Sequence, residues 1–125
     1  MTISSILNKA FDGYQSNLAS NTTTTVLSVP TNDTTSYLFR IVYRCISSTN
    51  LSFVAIKWCI LDTSAGTLVG GVGDELAPIH NFAVGIPTIT IQINAPNLEM
   101  QITNPAGSGY TLDCVVWAYY QEIKP

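Results

Sequence analysis

Apolar and polar residues alternate along much of this chain with a period of two, the repeat that sends successive side chains to opposite faces of a β-strand. The cleanest example runs over residues 98–103. Leu98, Met100 and Ile102 share one face and Glu99, Gln101 and Thr103 the other. A Pro-Ala-Gly-Ser-Gly turn then leads into residues 110–123, a run that is apolar on both faces between Cys114 and Tyr120. A strand covered on both faces is either central in a core or covered by another subunit. The even positions Leu112, Cys114, Val116 and Tyr120 suit the core. The odd positions Val115, Trp117 and Tyr119 then lie on an outer face.

The same reading finds further strands upstream. Residues 22–29, TTTTVLSV, are β-branched and end at Pro30, Asn32 and Asp33. Residues 37–47 place Tyr37, Phe39, Ile41, Tyr43 and Cys45 on one face and Arg40 and Arg44 on the other. Residues 52–61 read as the return strand of a hairpin, with Val54, Ile56, Trp58 and Ile60 inward and Lys57 outward. Residues 67–72 predict a short strand broken by Gly70-Gly71, and residues 74–85 a long loop carrying Pro78, His80 and Phe82. Residues 88–93 alternate again, with Ile89, Ile91 and Ile93 inward.

The first 20 residues admit two readings. Ile6, Leu7, Ala10, Phe11 and Tyr14 recur at helical spacing, with Ser4 or Ser5 as a cap and Gly13 limiting the length. The alternative is an extended arm packed on a neighbour. The expectation is an all-β protein: an antiparallel β-sandwich, jelly-roll-like, with a short N-terminal arm or helix over residues 1–20 and a single sandwich domain over residues 21–125.

Composition sharpens this picture. Only 10% of the 125 residues are charged, against roughly 25% in a typical soluble domain. A surface so poor in charge suits packing against other subunits. The net charge of −3 and the scattering of Lys9, Arg40, Arg44, Lys57 and Lys124 argue against nucleic-acid binding. No secretory signal and no apolar run long enough to span a membrane is visible in the sequence. Cys45, Cys59 and Cys114 each sit in an apolar run. Their odd number and spacing fit free buried thiols better than a Cys59–Cys114 bridge.

Chemistry is hard to assemble from these residues. His80 is the single histidine, and a metal site needs several ligands at workable spacing. No nucleophile elbow marks a serine as catalytic. Asp74-Glu75 lacks the pattern of a calcium loop, and the Gly70–Gly73 stretch is followed by neither a helix start nor a P-loop lysine. The sequence therefore predicts no enzyme, no metal and no cofactor. The exposed stripe of Val115, Trp117 and Tyr119 invites cover by another subunit, by the N-terminal arm or a long loop of the same chain, or by a sugar stacked on its rings. With Phe11 and Tyr14 of the arm, these residues are the interface candidates.

The segment TVLSVPTNDTTSYLFRIVYRCISSTNLSFVAIKWCI is similar to small tailed-bacteriophage virion proteins. In those, a strand ending in Val-Pro precedes a Thr/Asn-rich turn, a long strand, a polar turn and its return. The closing stretch LEMQITNPAGSGYTLDCVVWAYYQEI, with Glu122-Ile123 at its end, resembles their last strands. Residues 78–93 and the first 20 residues depart from that pattern. The resemblance implies a non-enzymatic virion protein made in the host cytoplasm, most readily a capsid decoration or cement protein. It would contact copies of itself, as a trimer, and the major capsid protein or another virion protein. The alternative is a tail or receptor-binding module that takes carbohydrate.

Overall fold

The computed structural model describes residues 9–31, 36–62, 67–94 and 97–123. They form eight strands and, among the described residues, no helix: β1 (Lys9–Leu18), β2 (Thr22–Pro30), β3 (Ser36–Ser47), β4 (Ser52–Asp62), β5 (Thr67–His80), β6 (Thr88–Asn94), β7 (Asn97–Asn104) and β8 (Leu112–Ile123). Two antiparallel sheets pack as a sandwich. One has five strands in the order β1-β8-β3-β4-β5, the other three in the order β2-β7-β6. The outermost pairs are nested, β1 with β8 and β2 with β7, on opposite sheets. The β3-β4-β5 meander extends the larger sheet on the far side of β8.

The core is the set of inward positions that the alternation defines. Phe39, Ile41, Tyr43 and Cys45 of β3, Leu98, Met100 and Ile102 of β7, and Leu112, Cys114, Val116 and Ala118 of β8 are all fully buried. Each large side chain among them stabilises the fold by about 1.5–3 kcal/mol relative to exposure. On β2 a register shift between Thr25 and Leu27 turns two consecutive residues, Val26 and Leu27, into the core. Three polar side chains hold the ends. Ser47 Oγ accepts the N–H groups of Thr49 and Leu51 and so closes the β3–β4 turn, where Asn50 takes a φ of 65°. Buried Asn104 donates from Nδ2 to the carbonyls of Leu18 and Tyr110, tying β1 to the turn before β8. The Tyr110 hydroxyl in turn donates to the Gly85 carbonyl.

Three expectations need correction. Of the two readings of the N-terminal segment, residues 9–18 take the extended one, as an edge strand paired with β8, and the helical spacing of Ala10, Phe11 and Tyr14 has no structural counterpart. Within the strand, Phe11 faces inward opposite Ala118 and Tyr14 outward opposite Val115. Gly13 is required by packing: a Cβ there would lie 2.0 Å from the Val26 carbonyl oxygen, where β1 crosses β2. Residues 1–8 of the expected arm lie outside the described residues.

The faces of β4 are the reverse of those expected. Phe53, Ala55, Cys59 and Leu61 are buried, while Val54, Ile56, Trp58 and Ile60 are on the outer face. Lys57 stands on the inner side opposite Ile41 and reaches Asp74 at 2.5 Å. Small Ala55 and Cys59 stand beside the large rings of Tyr43 and Phe39 in the close-packed interior, all four fully buried.

β5 is one strand of 14 residues in place of a broken strand and a loop. Three register shifts against β4 absorb its glycines and Pro78. His80 therefore ends a strand. Its ring stacks on Phe53 at 6.2 Å, and its Nδ1 accepts the N–H of Phe82.

Candidate docking face

The outer face of the five-stranded sheet is built from cross-strand rows. One row runs Tyr14, Val115, Arg44, Val54, Ile79 across β1, β8, β3, β4 and β5. The next runs Asp12, Trp117, Val42, Ile56, Leu76. A third runs Tyr119, Arg40, Trp58, Gly73. Directly opposed apolar and aromatic side chains stabilise such rows in pairs. Both tryptophans of the protein therefore share this face. Its flanks are the most open: Tyr14 is 66% exposed and Ile79 62%. The Trp58 indole lies over Gly73, since a Cβ at Gly73 would come within 2.7 Å of its ring carbons. Glycine there lets the ring lie down on the sheet.

The charges on this face are few and mixed. Arg40 Nε donates to Glu75 Oε2 at 2.6 Å, spanning β4. Asp12 and Arg44 are exposed, and Asp113 Oδ1 accepts the backbone N–H of Asn17. An open depression of about 230 Å³ is lined by Tyr14, Arg44, Ile46, Asp113, Cys114 and Val115. Small-molecule sites are usually about 300–1,000 Å³ and enclose their ligand, so this depression is a dimple in a broad surface.

The outer face of the three-stranded sheet is the opposite in character. Its rows are Thr23, Thr103, Thr88; then Thr25, Gln101, Thr90; then Ser28, Glu99, Gln92. Side-chain hydrogen bonds cross it, Thr23 to Thr103 at 2.7 Å, Gln101 to Thr25 at 3.2 Å and Gln92 to Glu99 at 3.2 Å. This is a surface made for water.

Of the interface candidates, Val115, Trp117, Tyr119 and Tyr14 come together on the apolar face. Phe11 does not: it stacks on Tyr120 at 5.7 Å, against the core of its own chain. Sequence reasoning missed Val42, Val54, Ile56, Trp58, Leu76 and Ile79. The signal was present in the β4 run FVAIKWCIL, which is apolar at odd and even positions alike, as in β8.

The acidic pair and the thiols are engaged within the fold. Asp74 and Glu75 pair with Lys57 and Arg40. Among the described residues no three His, Cys, Asp or Glu groups gather as a metal site. The three thiols are free and buried. Cys45 and Cys114 stand opposite each other inside the sandwich. The Cys45 thiol is raised above its ordinary range by its hydrogen bond with Cys114 and by burial. Burial alone pushes the Cys59 thiol up to about 12. Groups held neutral in this way are poor nucleophiles.

Comparison with family models, with curated proteins and with solved structures gives no match to this chain.

Proposed function

We propose that this protein is a non-enzymatic structural subunit of a bacteriophage particle, a decoration or cement protein held in place by the outer face of its five-stranded sheet. The contrast between the two outer faces carries the reading. The three-stranded face is Thr, Ser, Gln and Glu, and the five-stranded face is mostly Trp, Tyr, Val, Ile and Leu, with Asp12, Arg40 and Arg44 interspersed. A free monomer has no use for so large an apolar surface. Five strands at about 4.8 Å spacing and about ten residues of length cover roughly 800 Å², the area one partner contributes to a standard protein interface. The partner is a copy of the chain or a major capsid protein. The polar sheet then faces solvent on the particle. The link to a phage particle rests on the resemblance in the strand-and-turn pattern of residues 22–123.

The test is Trp117→Asp. Trp117 is half-buried and outside the core, so the variant is expected to fold with an unchanged circular dichroism spectrum and to lose attachment to particles or to its own oligomer. A variant that associates as tightly as the parent refutes the docking role.

A second reading is a carbohydrate-binding module of a tail. It is favoured by Trp58, which lies flat on the sheet over Gly73 with 40% of its surface open, the posture of a ring that stacks on a sugar. Glycan-array binding abolished by Trp58→Ala would establish it, and an array without signal would remove it.

A further inference from the structure

The two sheets have four edges, and three of them are blunted. β1 carries Asp12 and Gly13 and a register shift between Gln15 and Leu18. β2 carries its own shift between Thr25 and Leu27 and ends in Pro30. β5 carries three shifts together with Asp74, Glu75 and Pro78. Bulges, charges and prolines are the devices that stop an edge strand from pairing with another chain. The fourth edge, β6, has none of them. Its sequence TITIQIN contains no charge, no proline and no glycine, and it pairs with β7 over seven consecutive residues without a shift. Among the described residues its other edge makes no backbone hydrogen bond.

The side chains of β6 carry the same sign of incompleteness. Leu98, Met100 and Ile102 of β7 are fully buried, whereas Ile89, Ile91 and Ile93 opposite them are only half-buried. The flank of each isoleucine on the free side has no strand beside it.

We infer that β6 pairs in antiparallel register with β6 of a second copy of this chain, about a two-fold axis at Ile91. This surface is distinct from the apolar docking face. The strand is self-complementary about that residue. Ile91 meets its own copy, Ile89 meets Ile93, Thr90 meets Gln92 and Thr88 meets Asn94. Every isoleucine then stays on the core side and every polar residue on the solvent side, so the three-stranded sheet continues as one sheet of six across the pair. Backbone hydrogen bonds along β6 supply the attraction, and the absence of charge on either strand removes any repulsion. The contact makes a dimer, or joins two larger assemblies where the apolar face builds those.

Two double variants at the exposed positions Thr90 and Gln92 test it. In T90K/Q92K each new lysine faces a lysine of the other copy. In T90E/Q92K each faces the opposite charge, and the lysine also lies beside Glu99 of its own chain. Sedimentation equilibrium should show a self-associating parent, and the dissociation constant should rise about tenfold or more in T90K/Q92K but not in T90E/Q92K, from two opposed charge pairs per contact. Amide exchange in β6 should slow with protein concentration in the parent. A monomeric parent, an association that T90K/Q92K leaves unchanged, or equal weakening by both variants overturns the inference. So does an oligomer lost in Trp117→Asp whose β6 amides exchange at the monomer's rate.

Discussion

Gly13 on β1 and Val26 on β2 touch backbone to backbone, so closely that a single Cβ on Gly13 would sit 2.0 Å from the Val26 carbonyl oxygen. The atom in the way belongs to the main chain of the opposite sheet, so no rotamer change relieves it. Gly13→Ala is therefore expected to destabilise the fold by about 3 kcal/mol, at the upper end of overpacking costs. Urea denaturation followed by circular dichroism measures this. A loss below about 0.5 kcal/mol would mean that the two sheets are not apposed at this point.

The reversed faces of β4 give a paired expectation. Trp58→Lys replaces an outward residue and should leave monomer stability within about 1 kcal/mol, as surface substitutions do. Cys59→Lys buries an unpaired charge beside Phe39 and should prevent folding. Thermal melts of the two variants discriminate: the opposite order would restore the assignment that puts Trp58 inward and Lys57 outward.

Tyr43 is fully buried on the inner face of β3, and its hydroxyl has no hydrogen-bond partner. An unsatisfied buried hydroxyl costs roughly 1–3 kcal/mol. Tyr43→Phe keeps the ring and removes that cost, so the variant should melt at or above the parent's temperature. A marked drop would point to a partner for the hydroxyl, such as a buried water.

The buried acids make stability depend on pH in one direction. The Cys59 thiol rises from an ordinary 9.0 to about 12 on burial. The Cys45 thiol and the Tyr43 phenol are raised further. Between the unfolded and the folded pKa, the unfolded chain has released a proton that the folded chain still holds. Unfolding therefore becomes easier as pH rises. Stability from these groups is complete below about pH 9 and declines through pH 9–12. Chemical denaturation at pH 7 and pH 10.5 should show a lower midpoint at the higher pH, and the double variant Cys45→Ala/Cys59→Ala should flatten the difference.

The parts of the fold that could be read from sequence are those where the two faces of a strand differ in kind. Residues 98–103 set Leu, Met and Ile against Glu, Gln and Thr, and the structure buries the first set completely. β8 was legible in another way: apolar on both faces, it is a central strand, with Leu112, Cys114 and Val116 buried as its even positions implied. β4 was not legible, because both its faces are apolar and Lys57, taken as the outward marker, stands on the inner side. The face is fixed by pairing with β3, which sets Ala55 beside Tyr43 and Cys59 beside Phe39 and is absent from the local pattern. β5 was hidden by glycines and Pro78, which read as a loop until register shifts accommodate them in a sheet. At the N-terminus, Ala10, Phe11 and Tyr14 satisfy a helical spacing by coincidence. Their pairing partners lie about a hundred residues away in β8.

That distance also bears on how the protein reaches its structure. β8 lies between β1 and β3, and Lys9 pairs with Tyr120. The hairpin of β3 and β4 can form early from neighbouring residues. The seam that β8 fills closes only when remote parts of the chain meet, and such non-local pairing is slow, on the order of milliseconds to seconds for β-rich domains. Until then the facing edges of β1 and β3 are open, and this protein has an extended interval during synthesis when its strands can capture the wrong neighbour.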